Sequence, residues 1–141
     1  MARVPDGDIP PEEPLYRSVG ADGVNGEDVL PFALELPQCS FNRSKYSHPE
    51  QVLVPRPEHT GILSVRPLDL PGPVPRHTGS PYEFFAADDP NPKEDLQNDA
   101  HCEVRIKPQG LTFSKNHKVK KEILAKALDE LARKVRIFRT P

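Results

Sequence analysis

His101 to Pro108 reads HCEVRIKP, and its alternation decides the fold class. Successive side chains of a strand point to opposite faces. Cys102, Val104 and Ile106 therefore share one face, and His101, Glu103, Arg105 and Lys107 share the other. Such a strand needs an apolar cover on one face only, as strands of antiparallel sheets do. The cover comes further along the chain. Between Val119 and Val135, residues Ile123, Leu124, Ala127, Leu128, Leu131, Ala132 and Val135 recur at helical spacing and draw one stripe along a helix. Glu122–Lys126, Asp129–Arg133 and Glu130–Lys134 are pairs four residues apart in the favourable order. Arg133, Lys134 and Arg136 complement the helix dipole, and Ser114 or Asn116 is the expected cap. The expected fold is α+β: a small, mainly antiparallel sheet of three to five short strands, with one C-terminal amphipathic helix packed on one face.

Working outward from this pair, LPFALELP predicts a short strand over Phe32–Leu36 that Pro37 stops. Gln51–Val54 is expected as a short edge strand, Ile62–Leu68 as a clearer one and Tyr82–Ala86 as an aromatic one, with Leu111–Phe113 beginning a short return. PGPVPRHTGSP, residues 71–81, reads as a loop with polyproline II character. Residues 1–30 carry four prolines, four glycines and an acidic excess, with few large apolar groups. They are expected as a disordered acidic tail, leaving residues 31–141 as a single compact domain.

Composition narrows the function classes. The 141 residues include 18 prolines and no tryptophan, and only 35% are hydrophobic, so the core must be small and much of the chain must be loop. The net charge of −2 hides a split. Residues 1–100 hold 17 acidic against 8 basic side chains, and residues 101–141 hold 4 against 11. A basic C-terminal end allows weak, sequence-independent contact with nucleic acid through Lys115, Lys118, Lys120, Lys121, Lys126, Arg133, Lys134, Arg136 and Arg139. A solvated helix face explains the same charges more simply. No apolar run of membrane-spanning length occurs and no leader peptide is apparent, so no membrane partner is expected. Cys39 and Cys102 are read as buried, reduced thiols of a cytoplasmic protein.

Three constellations carry chemistry. The first is His101, Glu103 and Arg105 on the polar strand face, about 7 Å apart in successive pairs. A histidine and a carboxylate at that spacing can share acid and base roles across a phosphodiester, with the arginine on the phosphate. A second histidine would come from His48, His59, His77 or His117. Alternating charge is also what any solvated strand face shows, and that plainer reading outweighs catalysis. The second is the turn FNRSKYSH, in which Asn42, Arg43, Lys45, Tyr46 and His48 bring many donors together and suit a phosphate or carboxylate. The third, a metal at His101 and Glu103, lacks ligand spacing, and Cys102 points the opposite way. No metal and no cofactor is expected, since no glycine-rich phosphate loop or nucleophile elbow is present. The expected function is that of a small accessory or interaction domain binding another protein or an anionic partner through its open sheet face and the 42–48 turn. The alternative is a metal-independent, ribonuclease-like phosphodiesterase using His101 and Glu103.

Overall fold

The computed structural model describes residues 3–90 and 98–139. Its strands are β1 (Leu15–Val19), β2 (Val24–Asn25), β3 (Asp28–Val29), β4 (Gln38–Arg43), β5 (Gly61–Val65), β6 (Tyr82–Asp88), β7 (His101–Pro108) and β8 (Arg136–Ile137), with one α-helix, α1 (Lys121–Lys134), before β8. Six strands form one antiparallel sheet in the order β6-β7-β4-β1-β5-β8, and β2 pairs with β3 separately. The class is the expected α+β, but the sheet is larger than three to five strands. The extra members are β1 and the two-residue β8.

The alternation of β7 holds. Cys102, Val104 and Ile106 are buried on one face, where Leu131, Ala132 and Val135 join Cys102 and Val104 in the main core. Ile106 packs with Ala127, Val74 and Tyr82 in a second cluster reached by Ile123 and Leu124. The helix therefore covers the predicted face with the predicted stripe. Its start differs: Lys120 is the N-cap without a side-chain bond, and Ser114 Oγ instead accepts from the Asn116 N–H at 3.2 Å. Among the described residues no helix is long and apolar enough to cross a membrane.

Residues 1–30 were expected as a tail, and the structure differs most there. Leu15–Val19 lies inside the sheet, paired with β4 through Leu15↔Arg43 and Tyr16↔Asn42 and with β5 along its whole length. Leu15 and Val19 are buried, and Ile9 joins them in the core. A strand flanked on both sides needs few apolar groups of its own, because its neighbours supply the contacts and much of its backbone is paired. Asp8 also bridges Ala87, and the Pro11 and Pro14 carbonyls accept from Leu68 and Ser44.

Two further segments take tight helical turns where strands were expected. Pro31–Ala33 is a 3₁₀ turn that leaves Phe32 65% exposed, and the strand forms later, at Gln38–Arg43. Pro49–Leu53 is a second such turn, closed by the Gln51 N–H on the His48 carbonyl and by the His48 N–H on Gln51 Oε1. In both, proline at the first helical position presets φ and leaves no N–H to satisfy, which favours the turn over a strand. Leu111–Phe113 forms no strand; Phe113 lies edge-on to Phe85, and the Arg105 guanidinium sits over its ring at 4.5 Å. The acidic stretch 88–100 falls partly outside the described residues.

Candidate functional site

The register of β4 on β7 places Asn42 opposite His101, Ser40 opposite Glu103 and Gln38 opposite Arg105. These residues share the face that the helix leaves uncovered. The three polar side chains of β7 have different partners, although His101 Nδ1 and Arg105 Nη2 each lie 3.7 Å from Asp89 Oδ2. Glu103 is only 5% exposed and accepts from Arg105 Nε at 2.8 Å, while Arg105 stacks on Phe113. A carboxylate so paired and enclosed is poorly placed to pass a proton to a substrate. His101 lies between the end of β6 and β4. Its Nδ1 lies 2.6 Å from the Asp89 carbonyl and its Nε2 lies 3.1 Å from Ser40 Oγ.

The 42–48 turn divides as well. Arg43 has the strand parity of Cys39 and Phe41 and points into the covered side, where its side chain is 1% exposed. Burying a guanidinium without partners would be prohibitive, and the fold supplies three carboxylates. Glu13 takes a two-pronged contact at 2.8 and 2.7 Å, Asp6 accepts at 2.8 Å and Asp88 lies at 3.2 Å. Arg3 donates twice to Asp88 at 2.6 Å and lies over the Tyr46 ring at 3.9 Å. Tyr46 OH donates to Asp6 at 2.6 Å, with Lys45 Nζ at 3.2 Å. The hydrogen bond from Tyr46, backed by Arg43 and Lys45 and opposed by desolvation, holds Asp6 well below the usual carboxylate range. For Asp88 burial acts upward, but Arg3, the Asp6 N–H and Arg43 outweigh it and the pKa falls. Glu13, then Asp6 and Asp88, raise that of Arg43 against desolvation. The turn thus does hold an anion, and the anion is the chain's own Asp6. His48 stands apart, ending the turn as the cap of the Pro49–Leu53 segment.

What remains for a ligand lies on the uncovered face. The ladder between β1 and β4 spans only two residue pairs. Beyond it Arg17 spans the gap, donating to the Ser40 and Ala33 carbonyls at 3.1 Å each. A cavity of about 610 Å³ opens there, floored by Tyr16, Ser18, Ser40, Asn42 and His101 and walled by the 46–56 segment and Asn98–Ala100. That volume lies within the usual range of small-molecule and cofactor sites, about 300–1,000 Å³. Asn98 Nδ2 donates to Asn42 Oδ1 at 2.9 Å, and Ser18 Oγ meets His59 Nδ1 at 2.7 Å. Arg17 and Arg56 border both this cavity and a smaller hollow of about 280 Å³. Arg56 is exposed and makes no ion pair among the described residues. No group of three His, Cys, Asp or Glu side chains fit to hold a metal occurs among the described residues.

The structure therefore brings together Asn42, Tyr46 and His101 from the sequence-predicted residues. It sends Arg43 and Lys45 to the acidic N-terminal segment and pairs Glu103 with Arg105. Sequence reasoning missed Ser40, Ser18, Arg56 and Asn98, and it named His59 only among four candidate second histidines. For Ser40 a signal existed: Gln38, Ser40 and Asn42 alternate with Cys39 and Phe41 as cleanly as HCEVRIKP does. At the C-terminal end, Arg133 pairs with Asp129 and Arg139 with Glu27, while Arg136 caps helix carbonyls. Compared with known proteins, the chain matches no family model, no curated protein and no solved structure.

Proposed function

We propose that this chain is an interaction module whose cavity on the uncovered sheet face takes an anionic partner, foremost a carboxylate-bearing segment of another protein. The observation that carries this reading is Arg56, exposed on the cavity wall without a counter-charge among the described residues while other arginines of this half of the chain are paired. Hydroxyl and amide groups of Tyr16, Ser18, Asn42 and Asn98 line the same space and suit an extended polar backbone. The 42–48 turn takes part through Asn42 and Tyr46, since the charges of Arg43 and Lys45 are already met. The phosphodiesterase alternative has less support, because Glu103 is enclosed by Arg105. The buried free thiols Cys39 and Cys102, pushed up in pKa by burial, suit a reducing compartment such as the cytosol.

Titration of isotope-labelled protein with a short Asp/Glu-rich peptide, and with its Asn/Gln counterpart, tests the reading. The acidic peptide is expected to shift the amide signals of Ser18, Ser40, Asn42 and His101. Arg56→Glu is expected to weaken it by about tenfold or more, the size of one charge-assisted hydrogen bond. Shifts confined to other parts of the sheet, or equal binding of the neutral peptide, would refute it.

A further inference from the structure

The cavity contains an arrangement that binding alone does not require. We propose that Ser40 is an acyl-accepting nucleophile with His101 as its general base, so that the chain hydrolyses small esters held in this cavity; the proposal rests on the cavity being a ligand site. A carbonyl oxygen can only accept a hydrogen bond, and His101 Nδ1 lies 2.6 Å from that of Asp89. The ring proton is therefore on Nδ1, and Nε2 presents its lone pair. Nε2 is 3.1 Å from Ser40 Oγ, so the serine hydroxyl donates to it. Nucleophile, base and a group orienting the base thus stand in sequence, the relation that nucleophilic catalysis needs. The Asp89 carboxylate lies 3.7 Å from Nδ1 and is itself 3.7 Å from Arg105 Nη2, which helps hold it beside the ring. Ser40 is exposed on the cavity floor, and Arg17, bonded to the Ser40 carbonyl, sets a fixed positive charge beside the nucleophile's residue.

The serine–histidine pair of the adjoining hollow lacks that order. His59 Nδ1 meets Ser18, and among the described residues its Nε2 has only the Glu58 carboxylate at 4.0 Å. Among the described residues no carbonyl fixes the tautomer that would make it a base.

The chemistry balances with water alone. The Ser40 oxygen forms a bond to the ester carbonyl carbon as its proton passes to Nε2. The bond from that carbon to the alcohol oxygen then breaks, and the alcohol leaves with the proton from Nε2. Water repeats the sequence on the acyl-serine, giving its proton to Nε2 and releasing the acid as Ser40 recovers a proton. The anionic groups that Arg56 would bind favour an ester carrying a carboxylate at a distance from the reacting carbonyl.

Incubation of the wild-type protein with a fluorophosphonate probe, followed by peptide mass spectrometry, tests the assignment without any variant. One adduct per chain on Ser40 is expected. Ser40→Ala should abolish p-nitrophenyl acetate hydrolysis, and His101→Gln should lower its rate by about 100-fold or more, the scale of general-base assistance. Long-range proton–nitrogen spectra should show the His101 ring protonated at Nδ1, a signature that a merely structural histidine need not give. No adduct, an adduct elsewhere, or hydrolysis undiminished in His101→Gln would overturn the proposal. If the acidic peptide binds while Ser40 stays unlabelled, the nucleophile assignment fails alone. If Ser40 is labelled but the peptide does not bind, the reading of the cavity as an acidic-segment site fails alone.

Discussion

Asn42 and Arg43 are neighbours in β4, and they open onto two different polar regions. Arg43 lies on the covered side, where Glu13, Asp88 and Asp6 surround it and its own side chain is buried. Asn42 lies on the uncovered side, beside His101 and the cavity, near an arginine that has no acidic partner among the described residues. The contrast separates structural charge from available charge. A buried cation must carry its counter-charges within the fold, because desolvation outweighs what a transient partner could return. A cation on a wet wall can stand unpaired at little cost. Charge type alone does not say which of the two a residue is; strand parity and what lies over each face do.

The largest effect should come from the covered side. Arg43→Met leaves Glu13 and Asp88 without their shared cation and is expected to cost about 3–5 kcal/mol. Chemical denaturation measures it, and a loss below about 1 kcal/mol would make the cluster no more than a surface network.

A smaller effect should appear on acidification. Asp6 and Asp88 both have folded pKa values below the ordinary 3.8. Their contribution is therefore present above that value and is lost as pH falls through the lower, folded one. Melting temperature should decline from about pH 4 downward, and the decline should be shallower in an Asp6→Asn, Asp88→Asn double variant measured against its own value at pH 7. An equal slope would place the acid sensitivity elsewhere.

The smallest is expected on the uncovered side. Arg56→Ala removes an exposed, unpaired charge and should change stability by no more than about 0.5 kcal/mol. A larger loss would show that Arg56 supports the fold, and it would blur the distinction between the two regions.

Much of the architecture was legible because it rests on local repetition. HCEVRIKP alternates, the 119–135 stripe recurs at helical spacing, and both appear where the pattern places them. β1 escaped because Leu15 and Val19 are its only apolar residues fully committed to the core, set in an acidic, proline-rich stretch. β4 was displaced by six residues because Phe32–Leu36 and Gln38–Arg43 both alternate, and no local criterion ranks them. The structure prefers the second, where Cys39 and Phe41 reach the core and Phe32 stays outside. An arginine at the inward position of β4 also breaks the pattern, and its justification comes from residues 6, 13 and 88. The candidate site was legible only in part. His101, Asn42 and Tyr46 were named, but the partner expected for His101 was Glu103, two residues along the same strand. The structure provides Ser40 from the neighbouring strand instead.

The sequence by itself determined that a sheet with one wet face is covered on the other by a C-terminal helix, and which residues of β7 face which way. Those properties follow from covalent geometry, which repeats every two residues in a strand and every 3.6 in a helix. Only the tertiary structure decided that Asp6 occupies the turn's anion site, that Glu103 is enclosed and that Ser40 meets His101. The first and last depend on contacts 37 and 61 residues apart in the chain, which no local period encodes, and the enclosure of Glu103 depends on Arg105 folding back over it.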